Sequence, residues 1–371
     1  MPKPKTTLIL NPKPQSQITL SEYVTAIAWS PNGKYVAAAT ASGEVILLDD
    51  AIAVPNISQK LTELQKPTEI AVDCLGFSAD GGWLATGGQD GKVRVWKLEK
   101  DQLDQLDQWA IAATIDLGKT WIEHLVWHPS RAEIAFTFGK YVQVWSADTL
   151  DIVTTLHFEK STVLAIAWHP SGEYLSVSGD GGFKTWAAQD WYADPILVEI
   201  PTTITKIAWD HVGQYMVAST LDNQIVVMQW LGTDFDTSPW RMQGFPAKIR
   251  SFDWSASKTS PLLSSSSGSG IFTWEQHADL NIGWQGESIK GHNSVVGFVT
   301  FKPKSQVLAS ADENGRIAIW ENAKDWVQVL DTPMGGITAL QWQPQGRKLA
   351  AANADGDLMI WAESSQGKGF S

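Results

Sequence analysis

Residues 291–321 read GHNSVVGFVTFKPKSQVLASADENGRIAIWE. The stretch opens on Gly291-His292 and runs into alternating apolar residues, Val296, Phe298 and Phe301. A Lys302-Pro303 turn precedes a second run, Val307 to Ser310, and Glu313-Asn314-Gly315 precedes a third, Ile317 to Trp320. Three period-2 runs joined by short turns predict an antiparallel meander, because loops this short join only antiparallel neighbours. One meander cannot cover both of its faces, so it must stack against others like itself.

Working outward, the same pattern occurs eight times. The other units are Val24–Asp50, Val72–Leu98, Ile122–Ala147, Val163–Ala188, Ile204–Trp230, Ile249–Gln276 and Ile337–Glu363. Their starts lie about 40 to 50 residues apart, the period of a four-stranded propeller blade. Each first strand ends on a large aromatic: Trp29, Phe77, Trp127, Trp168, Trp209, Trp254, Phe301 and Trp342. Turn residues follow, as in Ser30-Pro31-Asn32-Gly33 and His169-Pro170-Ser171-Gly172. Asp90-Gly91, Asp180-Gly181 and Asp355-Gly356 mark tight second turns. Eight aromatics at one position are predicted to fill the gaps between adjacent sheets.

Fourth strands are expected at Trp109–Leu117, Ile152–Phe158, Ile196–Ile200, Ser238–Gln243, Ile282–Ile289 and Trp326–Leu330, with Ile57–Leu64 the best candidate after unit one. Unit eight has none after it, while Gln17–Leu20 is a strand without a sheet; pairing the two would cover an exposed edge.

Gly291-His292 and the Ile319-Trp320 ending, with Glu321 where Asp is usual, resemble one repeat of the WD-repeat (WD40) β-propeller family. The resemblance implies an all-β fold, a single propeller of four-stranded antiparallel blades. Eight blades are expected, with seven, the commonest count in the family, as the alternative. It also implies ring closure by the N-terminal strand. The expected domain is 1–371, with an arm over 1–16, the propeller over 17–363 and a polar tail over 364–371.

Twenty tryptophans in 371 residues recur at set positions. A net charge of −12 argues against nucleic acid or an anionic membrane as partner, since both demand a positive footprint. Cys74 is the only cysteine, so no internal disulfide forms, and no apolar run has membrane-spanning length. A cytoplasmic protein, monomeric on its own, is expected.

The family is described by a buried tetrad of His, Ser/Thr, Asp and Trp. By position, unit seven has His292, Ser310, Asn314 in place of Asp, and Trp320. Unit two has Thr86, Asp90 and Trp96 but Thr68 at the His position; unit four has Ser176, Asp180 and Trp186 but Glu159 there. A Ser inside a sheet is a partner in such a network rather than an exposed nucleophile. His124 and His128, four apart on a strand, sit about 13 Å from each other, too far for one ion. His128 and His169 hold equivalent places in consecutive units, so a shared metal is weighed against exposed turn histidines. Asp312-Glu313-Asn314-Gly315 lacks the distal Glu of a calcium loop. No metal and no cofactor are expected.

The resemblance places the narrow-face loops before each first strand and between second and third strands. That nominates Tyr23, Gln89, Trp121, Lys160, Lys206, Arg250, Asn293, Glu313 and Met334 for a protein or peptide partner. The acidic insertion Glu99–Gln108 reads as a solvated loop or a docking segment, and Trp240 as a hot spot or an outer-strand packing residue. The leading function is a non-enzymatic interaction scaffold. An enzyme or ligand binder in the central channel would need Asp73, Glu123, Lys206 and Asp253 to converge. A permanent subunit of a larger complex is the third reading.

Overall fold

The computed structural model describes residues 9–49, 60–100, 107–257, 261–279, 282–333 and 335–364. Among them there is no helix; the elements are strands, and every strand pairing between them is antiparallel.

The chain divides into two compact parts, residues 25–244 and residues 1–24 with 245–371. In the first part, unit one is Val24–Trp29, Tyr35–Thr40 and Val45–Asp49, with Lys60–Gln65 as outer strand. Unit two is Val72–Phe77, Trp83–Gly88 and Lys92–Lys100, with Asp107–Asp116 outermost. Unit three is Leu125–Trp127, Glu133–Phe138 and Tyr141–Ser146, with Asp151–His157. Units four and five are joined. Ile196–Trp209 is one uninterrupted strand that pairs with Tyr174–Ala187 at one end and with Tyr215–Thr220 at the other. Together they make a six-stranded sheet, finished by Trp240–Met242.

Counted as hydrogen-bonded sheets among the described residues, the number is therefore seven, the alternative to the expected eight. Eight three-strand meanders are nonetheless present. The difference is the short Ile200-to-Ile204 connection, which the chain crosses without leaving extended backbone.

The second part holds unit six (Ile249–Trp254, Leu262–Ser267, Gly270–Gln276, Trp284–Ile289), unit seven (Val296–Phe301, Leu308–Asp312, Ile317–Glu321, Asp325–Leu330) and unit eight. Unit eight has Ile337–Trp342, Lys348–Asn353 and Asp357–Ala362, and Ser16–Thr19 pairs with its third strand through Ser16 opposite Ile360 and Thr19 opposite Asp357. The N-terminal strand thus supplies the missing edge.

Of the arm expected over 1–16, the described residues 9–15 include a buried anchor. Leu10 is fully buried among Ile319, Leu349 and Trp361. The Gln328 side chain grips its backbone at both ends, accepting from the Leu10 N–H at 3.1 Å and donating to its carbonyl at 2.6 Å. Burying a leucine this well contributes about 2 to 3 kcal/mol, enough to hold a short strap that composition alone assigns to solvent. Residues 1–8 lie outside the described residues, as do most of Glu99–Gln108 and of the linker after unit one.

The core is layered as expected. Each hydrophobic cluster draws on consecutive units: Leu47 of unit one with Phe77 and Trp96 of unit two, Trp83 of unit two with Phe136 of unit three, Trp168 and Trp186 with Val144. Seven of the eight first-strand aromatics are buried, and Trp127 is half-buried. Trp240 is half-buried beside Tyr215, their rings 6.2 Å apart, which makes it an outer-strand packing residue.

Candidate functional site

Two kinds of polar construction organise the sheet ends. The first is the tetrad of unit seven. His292 Nδ1 lies 2.7 Å from Asp312 Oδ2, and Nε2 lies 2.7 Å from Ser310 Oγ, which accepts the Trp320 indole N–H at 2.8 Å. The acid is Asp312, not Asn314. Asp312 closes the second strand and points back under its own turn, where its second oxygen accepts the N–H groups of Asn314 and Arg316, both at 3.0 Å. Asn314 contributes its backbone to that network. Burial pushes the His292 imidazole below its ordinary range, against the opposing pull of Asp312. A neutral His292 donating from Nδ1 to the carboxylate leaves Nε2 to accept the Ser310 hydroxyl, so each buried polar atom has a partner. Gly291 is required beside it, because a Cβ there would lie 2.4 Å from the Trp320 ring. Ser310 is fully buried, out of a substrate's reach.

Units two and four keep only fragments. Asp90 pairs with Arg94 at 2.6 Å, Asp180 accepts from Thr203, Ser176 bonds Thr185, and Glu159 pairs with Lys184.

The second construction uses His128 and His169. His128 Nε2 lies 2.9 Å from the Gly172 carbonyl, and its Nδ1 accepts the Ser130 and Arg131 N–H groups. His169 repeats this, with Nε2 3.0 Å from the Gly213 carbonyl and Nδ1 accepting the Ser171 N–H. Each ring therefore clasps the turn of the next unit, and both nitrogens are occupied. That removes the shared-metal reading, and these turn histidines are buried rather than exposed. Among the described residues no group of three His, Cys, Asp or Glu side chains is placed to hold a metal.

The nominated loop residues other than Met334 lie at the leading end of their sheets, where first strands begin and second strands turn into third. Five first strands carry a β-bulge there, which leaves Asp73, Thr205, Arg250, Gly297 and Thr338 without a direct opposite. A bulge re-aims the extra side chain. In residues 25–244, Gln89 and Trp121 line one groove of about 590 Å³ formed by unit two and the segments that lead into and out of it. Trp121 is 56% exposed and Ile70, also on the groove, 43%. Two of the groove's three cations are paired, Arg94 with Asp90 and Lys92 with Asp116 at 3.5 Å, and Lys119 also lines it. Gln89 also hydrogen-bonds Asp73, whose carboxyl is raised by burial against that bond and with the help of the negative charge of Glu123. Lys160 is elsewhere, in a cleft of about 150 Å³ on unit four, 3.8 Å from Glu199. Exposed Lys206 adds its charge to His124, whose imidazole is depressed mainly by burial.

In the second part, Arg250 and Glu313 face each other at 3.9 Å, each about half exposed. Asn293 is exposed beside His292, and Tyr23 is 39% exposed. Asp253 accepts the Phe301 N–H at 2.7 Å, tying unit six to unit seven rather than facing a substrate. Met334 lies outside the described residues. Sequence reasoning missed Ile70 and the bulges; an apolar residue standing just before a first strand was the available signal for Ile70.

A model of the WD domain, G-beta repeat family matches residues 14–49, 58–97, 150–187, 283–321 and 325–362, just over half of the chain. The chain belongs to this WD40 family. It is 34% identical over 82 residues to the small ribosomal subunit protein RACK1 of Saccharomyces cerevisiae, covering 22% of this chain and 26% of that protein. It is 34% identical over 73 residues to the guanine nucleotide-binding protein subunit beta of Oryza sativa, covering 20% and 19%. The matched segment is thus about a quarter or less of each relative's length. Among solved structures, Sqt1 from Chaetomium thermophilum superposes with a TM-score of 0.80 over 96% of this chain and 100% of that one, at 17% identity. Sqt1 bound to the N-terminus of the ribosomal protein L10 gives 0.77 over 92% and 97%, at 18% identity. These likenesses show the fold, a β-propeller.

Proposed function

We propose that the protein is a non-enzymatic scaffold of the cytoplasm that binds a protein or peptide partner at the leading-end loops. The observation that carries this is the groove formed by unit two and its flanking segments. A tryptophan more than half exposed, sharing the groove with an exposed isoleucine and the side chain of Gln89, is costly to leave in water and useful at an interface. Loop residues that differ from unit to unit on a repeating frame suit one particular partner. Sqt1, of similar fold, is described bound to the N-terminus of another protein, which supports a peptide-like ligand. Arg250, Glu313, Asn293, Tyr23, Lys160, Lys206 and Met334 are the further contact candidates of this reading. The lone, half-buried Cys74 thiol, pushed up by desolvation, suits a reducing compartment.

The test is selection of binders from a displayed library of short peptides against the full chain, followed by titration of the selected peptides. Trp121→Ala and Gln89→Ala should weaken binding at least about tenfold, or roughly 1.4 kcal/mol, without lowering the melting temperature. Peptides that bind both variants as tightly as the parent would remove the groove from the proposal.

A further inference from the structure

The opposite, trailing end of units three to five carries a second surface. There the first–second turns and the third–fourth loops lie together, as meander topology requires. Six such segments (128–133, 146–151, 169–173, 188–195, 210–214 and 230–239) contain nine carboxylates, one arginine and no lysine. The arginine, Arg131, is bonded to Glu133 at 3.0 Å. Asp148, Glu173, Asp190, Asp194 and Asp234 are all exposed. Interleaved with them are apolar side chains that solvent does not favour: Tyr192 at 97% exposure, Leu231 at 60%, Leu150 at 53% and Val212 at 41%.

An independent observation sits between these loops. A cleft of about 370 Å³ runs over the same three units, lined by Trp127, Trp168 and Trp209 with Pro129, Pro170 and His211. The exposed loops are anchored to its walls: Trp191, next to Tyr192, meets Trp168 edge to face at 5.9 Å, and Trp230, next to Leu231, meets Trp209 at 5.7 Å. The apolar floor is thus packed against the loops that carry the carboxylates.

From this juxtaposition we infer that the trailing end of units three to five docks a basic amphipathic segment of a partner protein, its apolar side chains on the tryptophan cleft and its lysines and arginines on the carboxylates of the loops. The sign of those loops excludes nucleic acid and an anionic lipid surface, which would be repelled. Exposed apolar groups ringed by like charges mark an interaction site rather than solvated loop. The surface is separate from the Trp121 groove, so the two stand or fall independently.

The test titrates the full chain with a synthetic 18-residue Lys/Leu amphipathic peptide and with its Glu/Leu counterpart, followed by tryptophan fluorescence at low and high salt. The Lys/Leu peptide should bind and the Glu/Leu peptide should not. The triple variant Asp190→Lys, Asp194→Lys, Asp234→Lys should weaken binding at least about tenfold. Tyr192→Ser with Leu231→Ser should do so by about as much at high salt, while Trp121→Ala should leave it unchanged. Variants are compared only where circular dichroism and melting match the parent. Absence of binding, equal binding of the two peptides, insensitivity to both sets of trailing-end variants, or loss with Trp121→Ala would each overturn the inference.

Discussion

Buried histidines do two different jobs in the two parts of this molecule. His292 is wired inward, to a carboxylate and a hydroxyl of its own sheet, and fixes a loop to the strands it precedes. His128 and His169 are wired outward, each to the carbonyl of a glycine in the following unit, and fix one sheet to the next. The first arrangement is a closed network whose members leave one another stranded if any is removed. The second is a relay of single contacts, in which the His169-to-Gly172 turn is gripped by one ring while presenting the next. A repeat protein therefore has two separable stabilisers, within the repeat and between repeats.

The largest effect should come from the closed network. Trp320→Ala opens a cavity and leaves Ser310 without its donor, so about 3 to 5 kcal/mol should be lost in urea unfolding. His292→Ala should cost nearly as much, because the buried Asp312 Oδ2 then loses the donor that His292 supplies and Ser310 loses its acceptor. A loss below about 1 kcal/mol for either would show that the network is ornamental. Next is the clasp itself. Gly172 has φ of +77°, and a Cβ there would lie 2.3 Å from the His128 ring, so Gly172→Ala should cost about 2 kcal/mol or more. Gly118 has nearly the same φ, +74°, but open space around it, so Gly118→Ala isolates the backbone cost at about 1 kcal/mol. Equal losses would mean that the ring does not matter.

A smaller effect is titration. Burial holds His128 and His292 below their ordinary 6.5, so below that pH the unfolded chain takes up protons that the native chain resists. Stability should therefore fall as pH drops from about 6.5, and His128→Gln should make the fall shallower without abolishing it. A pH-independent melting temperature between 7 and 5 would contradict this. The smallest effect is at the groove, where Trp121→Ala should change stability by no more than about 0.5 kcal/mol, since the ring is largely in water.

Much of this was legible in the residues. Turn dipeptides, period-2 runs and the aromatic ending of each first strand placed all eight meanders, because those signals are local. The shared sheet was not legible, since nothing in Pro201-Thr202-Thr203 announces that the strand continues. The acid of the tetrad was displaced by two positions, from Asn314 to Asp312, because family spacing counts residues whereas the hydrogen bond follows the side chain that folds under the turn. Of the candidate surface, exposed aromatics such as Trp121 were readable. The pairing of Gln89 with Trp121 in one groove depends on how the segment leading out of unit two returns to it, which spacing does not specify.

The grip of Gln328 on Leu10 joins groups 318 positions apart in the sequence, and Thr19 reaches Asp357 across 338. On a ribosome, residues 9–19 emerge well ahead of the strands of units seven and eight that hold them. The nascent chain must carry an apolar strap and an unpaired edge until those strands appear. Closing so long a loop is also the slowest kind of contact to make, so completion of the final sheet should set the maturation time of the protein.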